Sequence, residues 1–134
     1  MRLTSRSEYA LLALIYLARH DGDEGYISAE RIAKEQGIPQ SFLEQIMLAL
    51  KRARIVMSTK GQHGGFRLAR DAGEISIAEI IRLFDGALAP TESVSTYFYE
   101  STPIEKEERL TAVFRDIRDY TAKKLEETTL AEVV

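Results

Sequence analysis

"SAERIAKEQGIPQSFLEQIMLALKR", residues 28–52, reads as two helices hinged at a glycine. Ser28 supplies an N-cap hydroxyl for "AERIAKEQ", whose buried face is Ile32 and Ala33, and Gly37 is the left-handed residue that stops it. A second helix follows at once. Its start has two readings: Pro39 suits a first helical turn, while Ser41 with Glu44 spells a capping box two residues later. Phe42, Leu43, Ile46, Met47 and Leu50 form its apolar stripe. The small Ala33 lets the second helix approach the first, and the pair is a helix-turn-helix pattern.

Working toward the C-terminus, "IVMST" and "GFRLA" are short strand-like runs joined by Lys60 and the glycine-rich "GQHG". A helix-turn-helix followed by a two-stranded hairpin is a winged helix. Asp71, Ala72 and Gly73 make a turn, and Ser76 caps "IAEIIRLFDG", with Ile77, Ile80, Ile81 and Phe84 facing the core. Working toward the N-terminus, Tyr9, Leu11, Leu12, Leu14, Ile15, Tyr16 and Ala18 are apolar on more than one helical face, which predicts a first helix largely enclosed by the fold. It should end near His20, before an acidic surface loop, "HDGDEGY". The fold expected is mainly α with a small β-hairpin wing. Residues 1–86 form the winged helix-turn-helix domain, 87–103 a Ser-, Thr- and Pro-rich loop, and 104–134 a long helix with a tail.

Leu110, Val113, Phe114, Ile117, Tyr120 and Leu125 lie on one side of that last helix, which runs to about Glu127. A helix beyond a long loop need not pack on its own domain. Its apolar stripe wants a partner, and the same helix of a second copy makes a homodimer.

The 134 residues, 45% hydrophobic and 29% charged, suit one soluble globular domain with an appendage. The net charge of −3 is unevenly spread: residues 1–70 carry 11 Lys or Arg against 7 acids, residues 71–134 carry 7 against 14. The first part is therefore the one suited to a polyanion such as double-stranded DNA. Having no cysteine, the chain excludes disulfides, thiol nucleophiles and thiolate-held clusters, and no metal site or cofactor is read from it. The run Tyr9–Ala18 has no basic leader, and no apolar stretch reaches the roughly 20 residues that span a bilayer, so a cytoplasmic location and no membrane partner are expected.

In a helix-turn-helix the start of the second helix meets base edges in the major groove. Gln40, Ser41, Glu44 and Gln45 stand there, and Gln pairs with adenine, Ser with either donor or acceptor, and Glu with cytosine. Lys51, Arg52 and Arg54 suit backbone phosphates or complement the helix dipole. Ser58–Arg70 contains no acid, and Lys60 with Gly61 at the hairpin tip suits a minor groove; as a bare hairpin it would carry only incidental cations. His63 is assigned no chemistry. An enzyme is not expected: the histidines are unpaired, there is no "GxxxxGK" loop, and "GQHGG" lies between strands.

"LTSRSEYALLALIYLA", "IAKEQGIPQSFLEQIMLALKRARIV", "STKGQHGGFRLARD", "ISIAEII" and "TTLAEVV" together resemble the Rrf-two family of bacterial winged-helix transcription regulators over nearly the whole chain. The resemblance implies a homodimer joined by a long crossing C-terminal helix and binding a two-fold operator, with DNA contacts at Gln40, Ser41, Phe42, Glu44, Gln45, Lys60 and Gly61. The function expected is sequence-specific transcriptional regulation, by repression. The alternative is a winged-helix interaction module or co-regulator that has lost specific DNA binding.

Many relatives hold an iron–sulfur cluster through three cysteines before the dimer helix. Spacing back from "FRDIRD" puts the first cysteine position near Ser93, the last near Glu108 and a common fourth-ligand position near Thr111. None is a thiolate, so the family's redox and nitric-oxide sensing does not transfer. In the same loop Tyr97, Phe98 and Tyr99 either line a site for a small-molecule effector or partner protein, or seal the dimer.

Overall fold

A computed structural model describes residues 1–22 and 25–134. Helix α1 (Ser5–Arg19) begins at Thr4, whose hydroxyl accepts the Ser7 amide, and ends at His20. Of the acidic loop expected after it, Asp23 and Glu24 lie outside the described residues. Helix α1 buries Ala10, Ala13, Leu14, Tyr16 and Leu17, but Leu12 is exposed, so its enclosure is less complete than the apolar count predicts.

Helix α2 (Ala29–Gln36) is capped by the Ser28 hydroxyl on the Arg31 amide and stopped by Gly37 at φ 66°, which a side chain would strain. Helix α3 (Gln40–Arg52) then starts directly after Pro39. The Ser41–Glu44 capping box does not form, because both residues already lie inside the helix; Pro39, with no amide hydrogen to satisfy, serves at the boundary instead. Leu43, Ile46, Met47 and Leu50 are fully buried against α1 and α2.

Strand β1 (Val56–Thr59) pairs antiparallel with β2 (Gly65–Leu68), Val56 opposite Leu68 and Thr59 opposite Gly65. Ile27 joins β2 as a single-residue bridge through Phe66, with hydrogen bonds of 2.8 and 2.7 Å. This join needs glycine at 65: a Cβ there would sit 2.2 Å from the Ile27 carbonyl oxygen. The hairpin is thereby fastened through the outer part of β2 to the segment leading into α2.

Helix α4 (Ile77–Asp85) is capped by Ser76 and buries Ile80 and Ile81, with Ile77 and Phe84 half-buried. Asp85 at its end accepts from Ser7 at 2.6 Å and from the Thr4 hydroxyl at 2.5 Å, placing a carboxylate at the positive N-terminus of α1. The segment that follows is not plain loop. Leu88, Ala89, Ser93, Val94 and Ser95 are buried, and short 3-10 turns form at Glu92–Val94 and Pro103–Lys106.

Helix α5 (Glu108–Glu127) starts later than residue 104, since Ile104 belongs to the second of those turns. The tail returns to the winged-helix core. Ser76 bridges Thr129, the Leu130 amide donates to the Ile75 carbonyl at 2.9 Å, and Leu130 is fully buried. Among the described residues no helix is long and apolar enough to cross a membrane.

Candidate nucleic-acid interface

The buried stripe of α3 orients everything else on that helix. With Leu43, Ile46, Met47 and Leu50 inward, Gln40, Ser41, Glu44, Gln45, Lys51 and Arg52 are all exposed on the outer side. Phe42 differs: it is half-buried, its ring edge-on to Tyr9 at 5.4 Å, so it braces α3 on α1. Leu48, which the helical-stripe reading passed over, stands on the outer side among the polar residues; its spacing of seven from Ser41 is the signal that places it there.

The cations divide into tethered and untethered ones. Arg67 lies over the Tyr26 ring at 4.9 Å and donates to the Met57 sulfur, while Arg70 pairs with Glu79 at 2.5 Å. Lys51, Arg52, Arg54 and Lys60 are exposed and make no ion pair among the described residues. Lys60 and Gly61 occupy the hairpin tip, where the Gly64 amide closes the turn on the Gly61 carbonyl at 3.0 Å. Arg54 has a positive φ of 61°, a left-handed conformation disfavoured for any residue with a Cβ. Among the described residues the end of α3 and the hairpin tip thus carry cations without ion-pair partners, and the exposed start of α3 carries hydrogen-bonding side chains.

Beyond α4 the chemistry is different. Tyr97, Phe98 and Tyr99 are exposed; Tyr97 and Phe98 together border a small crevice with Leu88 and Arg118, which Tyr99 does not line. Tyr97 stacks under the Arg82 guanidinium at 4.9 Å, and Tyr99 donates to Glu105. Phe98 borders an open cavity of about 410 Å³ with Met1, Asp85, Gly86, Pro90 and Glu100. Hydrogen bonds from Ser101 and from Tyr99 hold the Glu105 carboxyl below its ordinary range, and the bond to Glu105 raises the Tyr99 phenol. Arg82 also pairs with Glu126, and Arg118 donates to the Val94 carbonyl at 2.8 Å, so the two arginines clasp loop, α4 and α5 together.

Helix α5 turns Phe114 and Leu125 partly inward but leaves Leu110, Val113, Ile117 and Tyr120 exposed, Tyr120 by 74%. Their spacing of three, four and three residues draws a single seam along the helix.

The profile of a family described as "Iron-dependent Transcriptional regulator", Rrf2, matches residues 3–134. The chain belongs to the Rrf2 family. It is 37% identical over 137 residues to an HTH-type transcriptional regulator of Mycobacterium tuberculosis, covering 99% of this chain and 81% of that one. It is 41% identical over 91 residues to the HTH-type transcriptional regulator IscR of Xenorhabdus nematophila, covering 68% of this chain and 55% of IscR. Among solved structures, CymR, the global cysteine regulator of B. subtilis, superposes with a TM-score of 0.86 at 28% identity, covering 99% of this chain and 95% of that one. The Rrf2 chain is accordingly a winged-helix, DNA-binding transcriptional regulator and not an enzyme.

The donor set does not suit the iron–sulfur cluster of cysteine-bearing Rrf2 relatives. Ser93 is buried and its hydroxyl accepts from Thr102 at 2.5 Å. Thr111 is buried with its hydroxyl shared between the Ile104 and Glu107 carbonyls at 2.8 and 2.9 Å. Glu108 is exposed and pairs with Arg115. Two neutral hydroxyls already bonded within the chain and a surface carboxylate supply no thiolate.

Proposed function

We propose that this Rrf2-family regulator acts as a homodimeric repressor, each protomer setting α3 into the major groove of one half of a two-fold operator and its hairpin into the adjoining minor groove. The observation that carries the reading is the outer face of α3: Ser41, Glu44 and Gln45 exposed along its first half, with Lys51 and Arg52 at its end making no ion pair among the described residues. Gln40 lies at the helix start, and Lys60 and Gly61 at the tip of the wing, while Phe42 acts by holding α3 at its angle to α1. Residues 1–86 with the returning tail form the DNA-binding unit, and the exposed seam of α5 pairs with its copy. Loop 87–103 receives the signal, as a small-molecule effector or a partner protein, at the exposed side chains of Tyr97, Phe98 and Tyr99. Occupancy of a promoter then excludes polymerase.

Selection of bound sequences from a pool of random duplexes tests the reading. It should return an inverted repeat with half-sites about one helical turn apart. Affinity for it should fall steeply with salt, as release of phosphate counterions requires. A pool that returns no preferred sequence would support the interaction-module alternative. A reporter behind a selected promoter should rise when the protein is removed; a fall would make it an activator.

A further inference from the structure

We propose that Leu48 is a specificity-determining residue that reads the 5-methyl group of a thymine in the major groove, an assignment that rests on α3 being the DNA-reading helix. Leu48 is 47% exposed, and it is the one large hydrophobic side chain of α3 on the exposed side. The other large apolar residues of the helix are accounted for by the core, and Phe42 by Tyr9. Its helical neighbours are Glu44 and Gln45 one turn before, Ser41 two turns before and Arg52 one turn after, all exposed and all polar. An isolated leucine inside a polar stripe makes no apolar patch of the kind that binds protein. On α5, by contrast, Leu110, Val113, Ile117 and Tyr120 follow one another along a continuous seam.

What such a leucine can match in a major groove is narrow. Base edges there present hydrogen-bond donors and acceptors, and the thymine methyl is their apolar feature. A leucine pressed on a polar edge strips its water and returns no hydrogen bond, which disfavours the pairs that present such an edge. Pressed on a methyl, it buries apolar surface on both sides. The register follows from the helix. Leu48 lies about 5 Å beyond Gln45 along the axis, at 1.5 Å per residue, which is one to two base steps of about 3.4 Å. The thymine should therefore fall within about two base pairs of the pair whose identity Gln45→Ala relaxes.

The test uses the full-length protein and its selected operator, with each thymine replaced in turn by deoxyuridine, which removes the methyl and keeps the base pair. In each half-site one such replacement should weaken wild-type binding about three- to fivefold, the worth of one buried methyl group. The same replacement should leave the affinity of Leu48→Ala unchanged. A melting curve of Leu48→Ala superposing on wild type shows that the fold is kept, and the deoxyuridine scan of the wild type reads the methyl contact without any variant. A flat wild-type scan, or a sensitive position that Leu48→Ala shares, overturns the assignment while leaving DNA reading by α3 intact. Selection that yields no operator at all overturns both, and does so before any variant is made.

Discussion

Helices α3 and α5 are both amphipathic and both anchored along one side, yet they leave opposite chemistry in solvent. The outer face of α3 is polar but for Leu48 and ends in cations that have no ion-pair partner among the described residues; α5 carries an exposed apolar seam of Leu110, Val113, Ile117 and Tyr120 flanked by charged residues. The charge follows the same division, +4 over residues 1–70 and −7 over residues 71–134. An exposed polar, cationic face suits a hydrated polyanion, and an exposed apolar seam suits another copy of itself. Under the proposed function, the two interfaces fall on two helices of similar build.

The sharpest way to break this division is to put a charge into the seam. Ile117→Glu should sediment as a monomer at micromolar concentration and lose about 100-fold or more in operator affinity, since the second half-site contact ceases to be intramolecular. Gly65→Ala should act on the other region alone: its Cβ would meet the Ile27 carbonyl oxygen at 2.2 Å and part the Ile27–Phe66 bridge. The loss of two hydrogen bonds and the backbone shift should cost about 2–4 kcal/mol in a denaturant melt, with the dimer still formed in native buffer.

Within α3 the centre and the end should separate. Gln45→Ala should relax preference at one base pair by about 1–3 kcal/mol, read as a changed selected motif. Arg52→Ala should instead weaken all sequences alike and reduce the slope of log affinity against log salt by about one. The smallest effect is expected at Arg54, whose φ of 61° glycine adopts without strain. Arg54→Gly should raise stability by no more than about 1 kcal/mol, measured by thermal melting.

The parts of this architecture that were legible in the sequence are those set by neighbours along the chain. Ser28, Gly37 and Ser76 cap or stop helices through bonds to residues at most four positions away, so their identity alone announced them. The polar stripe of α3 was legible for the same reason, its period being that of one helix. The capping box at Ser41 misled because two local signals competed, and Pro39 lies at the position where the helix begins. The bridge from Ile27 to Phe66 and the return of Leu130 to the core were not legible, since each joins segments remote in sequence through a few residues without periodicity. Leu48 falls outside the apolar stripe, and its spacing of seven from Ser41 puts it on the polar side, but a lone leucine carries no signal of its own among hydrogen-bonding side chains.

The division of labour between the two helices is tested most directly by the mass of protein on a single operator duplex, measured by sedimentation for wild type, Ile117→Glu and Gln45→Ala. Wild type should load two chains at once with no one-chain species, Ile117→Glu should load one chain and then a second independently at about 100-fold higher concentration, and Gln45→Ala should load two at once with altered sequence preference. A single wild-type chain holding the duplex at full affinity, or an Ile117→Glu variant that still binds as a pair, would contradict it.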